Sequence, residues 1–435
     1  MPNFDRPQLH FTPRRGWIND PNGLVFDGGR YHLFAQHNPD DVVWGPMHWL
    51  HAASTDLVDW REEGIALYPD ALGTMFSGSA AMLPGGRMAL MYTAHGPCEQ
   101  QCVAFSKDGA HFEKFAGNPV IPNPGIPDFR DPKLFWNARY DCWSAAVAAG
   151  DRVAFYRSED LIRWRKTGEF GPGSNRFGDL FECPDVFPLT APDGSEMWVL
   201  TASMIFKGGE KGGRMQYFLG AFDGDAFVQT APSHSPLRLD EGYDCYAGVT
   251  YSGTQERLFM SWMTSGSCPL PTPGYCGGMT LARRLHLVMT PQGIRLAHKC
   301  VLPPIGAQAS VASLPKKAFV IRAQARGAFE LMLWGAAAGE SLRVGLDAQN
   351  RLYTERSTSA SFAADSAYND DARRITRTRR LLEGPLEIQI VCDAWCVEIF
   401  ADGGLYAHGL LAFALGGFQR LTCEGEAALA VYSFE

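Results

Sequence analysis

STDLVDW (Ser54–Trp60), SKDGAHF (Ser106–Phe112) and SEDLIRW (Ser158–Trp164) share one pattern, Ser-x-Asp-x-x-x-aromatic. Their serines stand 52 residues apart and their aromatics keep the same step. A polar turn followed by one aromatic is the way a β-hairpin ends. FDGDAF (Phe222–Phe227) is a weaker copy.

The segments between the turns align as well. They read NDPNGLVFDGGRYHLFAQ from Asn19, FSGSAAMLPGGRMALMYTA from Phe76, RDPKLFWNARYDCWSAAVA from Arg130, ECPDVFPLTAPDGSEMWVLTA from Glu182 and YAGVTYSGTQERLFMSWMT from Tyr246. Each starts polar or acidic, makes a short strand, turns through Gly, Asp or Asn, and makes a second apolar strand. A step of roughly 50–60 residues with several short strands per unit predicts a β-propeller. Helix-period patterns are scarce, with 46 Gly and 28 Pro in the chain. The expected fold is all-β, with a five-bladed β-propeller over residues 1–303.

The pattern changes after LARRL (Leu281–Leu285). CVLPPIGAQASVASLPKK (Cys300–Lys317) reads as a connector, and alternating strands such as FELMLW, LRVGLD, LEIQIV and CVEIFADG follow it. These predict a β-sandwich domain over residues 304–435. RRITRTRR (Arg373–Arg380) reads as a solvated strand edge or loop.

Bulk properties exclude several classes. The 435 residues exceed one ordinary core and suggest two domains. A 46% hydrophobic fraction and mean hydropathy of −0.14 fit a soluble globular chain. The net charge of −8 argues against nucleic acid or an anionic membrane as partner. No run of 18 apolar residues and no secretory leader are visible, so the chain is expected to be cytoplasmic, its 11 cysteines reduced. Cys98/Cys102 and Cys392/Cys396, each four apart, are expected on one face of a strand. No metal or cofactor motif is present.

Three acids carry the chemistry. Asp20 in WINDPNG, Asp131 in FRDP and Glu182 in FECPD each precede an apolar strand. First strands of successive blades point at the central channel, so Asp20, Ser77, Asp131, Glu182 and Tyr246 are expected to ring one funnel. Carboxylates that converge in this way are how glycosidic bonds are broken. A turn carboxylate capping a strand end is the bland alternative for any one of them. Trp17, Trp44 and Trp49 offer faces for a sugar or belong to the core. Trp44, beside the Gly45–Pro46 turn, reads as a mouth residue.

These motifs resemble glycoside hydrolase family 32, the β-fructofuranosidases that include invertases. The resemblance runs from RPQLHFTPRRGWINDPNG through WGPMHW, FSGSA, FRDPK, FECPD and CYA to VEIFADGG, nearly the whole chain. It implies a propeller followed by a sandwich. It also implies Asp20 as nucleophile, Glu182 as general acid/base and Asp131 as partner to fructosyl hydroxyls. Asn19, Gln36, Trp44, Phe76, Ser77, Arg130, Tyr246 and Trp262 are implied as substrate-binding residues. The family often has Leu-Pro-Arg-Glu-Leu where this chain has LARRL, with Ala282 and Arg284 departing.

The local chemistry fits those roles. The Asn19 amide and the N–H groups of the following turn are donors that favour a charged Asp20. Apolar neighbours and the charge of Asp20 are expected to raise the pKa of Glu182. Arg130 beside Asp131 is expected to keep it ionised, or to be a structural pair. The reading is a retaining hydrolase of terminal β-D-fructofuranosides, with sucrose or short fructo-oligosaccharides as sugar partner, acting as monomer or homodimer. The same scaffold also suits sucrose 6-phosphate, inulin or levan, or fructosyl transfer, and a non-catalytic sugar-binding propeller is the rival of a different class. Phosphate recognition needs cations at the rim, for which Arg283, Arg284 and Lys207 are the candidates.

Overall fold

The computed structural model describes residues 4–207, 214–230, 233, 235–264, 270–357 and 374–435. The three Ser-x-Asp turns are built alike. The Asp carboxylates accept from the backbone N–H groups of Val58 and Asp59, Ala110 and His111, and Ile162 and Arg163, all at 2.8–3.0 Å. Between them Leu57, Gly109 and Leu161 turn left-handed, with φ of 71°, 70° and 65°. Trp60 and Trp164 then fold back, donating indole N–H bonds to the carbonyls of Leu57 and Leu161. The 52-residue repeat is therefore a repeat of one hydrogen-bonded turn.

Contact divides the chain into two compact units. One comprises Arg14–Leu239 and Tyr246–Trp262. It holds four sheets, each built on four consecutive antiparallel strands. Their first strands are Gly16–Phe26, Thr74–Met82, Phe129–Asn137 and Leu180–Thr190. A fifth sheet starts at Cys245–Thr250 and ends at Gly293–Cys300, so the division falls within it. The five sheets are the blades of a five-bladed β-propeller.

Polar side chains stitch the first strands together. Ser79 Oγ donates to the carbonyl of Pro132 at 2.7 Å and accepts from Leu134 N–H at 2.8 Å. Lys133 and Asp185, both buried, pair at 2.9 Å. Lys133 also donates to the Thr250 carbonyl, while Asp185 accepts the Thr250 N–H and hydroxyl at 2.6 and 2.8 Å. This ion pair locks the third, fourth and fifth blades to one another beneath the acids.

The second unit comprises Met1–Pro13, Asp240–Cys245 and Met263–Glu435. Its nine-stranded sheet runs outward from the long strand Phe319–Trp334, which pairs with Ser341–Leu346, Leu386–Asp393 and Arg420–Phe434. Apolar residues alternate inward to form the sandwich core of Ile321, Leu331, Val344, Ile390 and Ile399. Ile375–Arg379 is an edge strand, as RRITRTRR suggests, but Arg380 is not solvated. It forms a buried two-point pair with Asp402 at 2.7 and 2.8 Å. Arg373 lies outside the described residues. The cysteine spacings are corrected too. Cys98 sits exposed in a loop ahead of the strand that buries Cys102, and a turn through Ala394 (φ 53°) separates Cys392 from Cys396. Among the described residues no helix is long and apolar enough to cross a membrane.

A buried ionic cluster anchors this unit. His10 contacts Asp393 at 2.8 Å and Glu398 at 3.1 Å, and Arg283 joins Glu398 to Asp240 at 2.6 and 2.7 Å. Burial opposes a charged His10, but the two carboxylates outweigh it and lift its pKa to about 9. A raised histidine stabilises the fold fully below its unfolded value of about 6.5 and loses that contribution as pH rises through about 9. We expect His10→Asn to be destabilising at pH 6 and much less so at pH 10, by urea denaturation. An equal deficit at both values would exclude a charged His10.

Candidate active site

The pocket is made by interruptions in the first strands. Register breaks between Ile18 and Pro21, Phe76 and Gly78, Arg130 and Lys133, and Glu182 and Asp185. Three of the four contain or end at a proline, Pro21, Pro132 or Pro184, which has no N–H to give to a ladder. Asp131 and Cys183 adopt positive φ, 62° and 43°, at their bulges. A bulge re-aims a side chain out of the sheet plane. The prolines of DPNG and RDPK thus explain locally why Asp20 and Asp131 leave the ladder; Glu182 still pairs with Ser203, and the break of ECPD falls just after it, at Cys183 and Pro184.

Asp20 accepts hydrogen bonds from Ser77 Oγ at 2.6 Å, Gln36 Nε2 at 3.0 Å and Asn19 Nδ2 at 3.2 Å. The Trp17 indole N–H, 2.9 Å from Asn19 Oδ1, fixes that amide. Asp131 is buried, its N–H bonded to Thr93 Oγ1 and its Oδ2 to the Cys183 N–H at 2.9 Å. Cys183 Sγ lies 3.7 Å from Asp20 and 3.6 Å from Asp131, between the two. Glu182 accepts from Arg130 Nη2 and Nε at 2.8 and 3.1 Å, and from the Tyr246 hydroxyl. The structure therefore brings Asp20, Ser77, Asp131, Glu182 and Tyr246 into one pocket.

Arg130 is the only cation in contact with this group of acids among the described residues. Its Nη1 is held by Glu99 at 3.1 and 3.2 Å and by Asp128 at 2.8 Å, while Asp131 is only reached at 4.0 Å. The expected Arg130–Asp131 pairing is corrected accordingly: the guanidinium serves Glu182, Glu99 and Asp128 first. Burial, with the charges of Glu182 and Asp20, holds Asp131 well above the usual carboxylate range in spite of Arg130. Burial and the charge of Asp20 also raise Glu182, against Arg130 and Tyr246. Two of the three acids are thereby biased toward holding a proton.

The aromatic residues divide. Trp49 is fully buried, and Trp17, also buried, packs edge-on against Trp262 at 5.8 Å. Trp44 is 55% exposed and meets Phe76 edge-on at 6.1 Å; Phe76 stacks on His95 at 4.0 Å. Thr93 and Cys183 bond Asp131, and Glu99 and Asp128 hold Arg130; sequence reasoning named Cys183 only as an apolar neighbour of Glu182 and gave the other three no role. Cys183 lay inside a quoted motif; Glu99 carried no local signal. Of the cations considered for phosphate, Arg283 is fully buried between Glu398 and Asp240 and cannot read a ligand at a rim.

With this geometry in place, likeness to known proteins is decisive. Residues 10–299 match the glycosyl hydrolases family 32 N-terminal domain. The chain belongs to glycosyl hydrolase family 32. It is 36% identical to a levanase of Bacillus subtilis over 92% of this chain and 65% of that protein. It is 37% identical to an invertase of Schizosaccharomyces pombe over 66% of this chain and 54% of the other. The chain thus spans between half and two-thirds of the length of these relatives. The crystal structure of an exo-inulinase from Aspergillus awamori superposes with a TM-score of 0.88 at 27% identity, covering 100% of this chain and 99% of the other.

Hydrogen bonds and positive charge offered to the ionised form of Glu182 lower its pKa, so their removal raises it. We expect Tyr246→Phe and Arg130→Gln each to move the Glu182 titration upward, read by NMR of carboxyl-labelled glutamate. A downward move in either would exclude the described contacts.

Proposed function

We propose that this chain is a retaining β-fructofuranosidase, which releases terminal non-reducing β-D-fructofuranosyl units, and that the propeller of residues 1–303 is its catalytic part. The observation that carries this reading is the pairing of unlike acids in one pocket. Asp20 is held by three side-chain donors, while Glu182 has its pKa raised beside it. One group suits a nucleophile and the other a proton donor.

In the first step Asp20 bonds to the anomeric carbon while that carbon's bond to the leaving oxygen breaks, and Glu182 gives the oxygen its proton. In the second step Glu182 takes a proton from water, the water oxygen bonds to the same carbon, and the Asp20 ester is released. Two displacements retain configuration; carboxyls about 5–5.5 Å apart are the usual spacing for this path. Asp131 contributes a hydrogen-bonding group to sugar hydroxyls, and bonds that tighten as the ring flattens favour the transition state. Asn19, Gln36 and Ser77 position Asp20; Arg130 and Tyr246 tune Glu182. Trp44, Phe76 and Trp262 supply apolar faces for the sugar.

Action on fructan chains is a second reading on the same scaffold, favoured by the levanase relative, whose alignment covers 92% of this chain. Of the three cations weighed for a phosphate, Arg283 drops out, being paired with Glu398 inside its own unit. Asp20→Asn is expected to lower sucrose turnover by about 10⁴-fold or more without unfolding the chain. Glu182→Gln is expected to slow sucrose far more than a fructoside with an acidic leaving group, which needs little protonation. Equal losses on the two substrates would remove Glu182 from the acid role. In methanol the product is methyl β-fructofuranoside, and the α anomer would rule out the two-step path.

A further inference from the structure

Three side chains of the second blade grip three consecutive residues of the third. Gln101 Nε2 donates to the Phe129 carbonyl at 2.8 Å. Thr93 Oγ1, itself bonded to Gln101, accepts the Asp131 N–H at 3.0 Å. Between these two contacts, Nη1 of Arg130 donates to both carboxylate oxygens of Glu99, at 3.2 and 3.1 Å. Glu99 and Gln101 stand two apart in the strand Glu99–Ser106, so both side chains leave it on one face. Asn123 Nδ2, 2.7 Å from the Glu99 carbonyl, pins the start of that strand.

The grip decides which edge of the guanidinium the acid meets. The group is planar, so holding Nη1 fixes the direction of Nε and Nη2. Those two donate to the same oxygen of Glu182, at 3.1 and 2.8 Å. Of the two carboxylates on Nη1, Glu99 is the more buried, its side chain 11% exposed against 33% for Asp128. Charge in such a place is poorly screened. Glu182 faces Arg130, Tyr246, Asp20, Asp131 and the Cys183 thiol. Arg130 faces Glu99, Asp128, Asp131 and Glu182, and His95 Nδ1 lies 3.3 Å from Glu99. A neutral acceptor at position 99 would hold Nη1 as well, but more of the positive charge would then act on Glu182. The carboxylate offsets it.

Resting on the fructosidase reading, we propose that Glu99 is a positioning residue for the general acid. Through Arg130 it aims two donors at Glu182 and offsets the charge they bring, so the acid keeps its proton for the leaving oxygen. Burial raises the pKa of Glu182 and Arg130 opposes that rise. Glu99 limits the opposition.

Glu99→Gln keeps an acceptor for Nη1 and removes the charge. In the full chain, the Glu182 titration read by NMR of carboxyl-labelled glutamate is expected to move down by about 0.5–1 unit. Glu99→Asp keeps the charge and is expected to move it by less than about 0.2 unit. The high-pH limb of kcat/KM for sucrose follows the titration down in Glu99→Gln. With an acidic leaving group, which needs little protonation, the limb stays in place. An unmoved or raised titration in Glu99→Gln overturns the proposal, as does an equal move in Glu99→Asp. A limb that moves alike for both fructosides, or for neither, overturns it too. The titration needs no substrate. Absence of fructoside cleavage by the natural chain therefore sinks the fructosidase reading, and the titration still decides whether Glu99 sets the charge that Glu182 feels.

Discussion

Arg130 sits among more carboxylates than one cation can neutralise, and the character of the pocket follows from how its donors are shared. A guanidinium has five N–H donors in a fixed plane. Here Nη1 goes to Glu99 and Asp128, while Nε and Nη2 go to Glu182. Asp131 is left at 4.0 Å and Asp20 depends on neutral donors. Negative charge in excess of positive charge, in a buried place, is relieved most cheaply by protonation. That is the physical origin of the raised Asp131 and Glu182.

The backbone makes such crowding possible. Acids brought together on a flat sheet would face alternately up and down; acids at or beside the breaks of separate blades all lean into one channel. Pro21, Pro132 and Pro184 break the ladders where the acids are needed, and the buried Lys133–Asp185 pair holds three blades in register beneath them. Removing one partner of a buried ion pair leaves an uncompensated charge, at a typical cost of about 3–5 kcal/mol. Asp185 therefore does structural work three residues from Glu182, in the same motif.

Much of this was legible because it is local. The Ser-x-Asp turns bond within four residues, so spacing alone revealed the blades. An acid followed at once by proline marks its own bulge. Glu99 could not be found in this way, since it lies 31 residues from Arg130 and carries no motif. The same holds for Arg283. Adjacent in sequence to Arg284, it looked like part of a basic rim, yet its partners are Asp240 and Glu398, 43 and 115 residues away. Arg380, at the end of a basic run, is likewise buried against Asp402.

By itself the sequence determined the repeat, the positions of the strands and the three acids at their breaks, since hairpin turns, prolines and alternation act over a few residues. The tertiary structure alone decided which charges face one another. Arg130 stands next to Asp131 in the chain but bonds Glu182, 52 residues on, because the bulge turns its guanidinium toward the fourth blade. Chain neighbours set where a side chain starts; the blades set whom it meets.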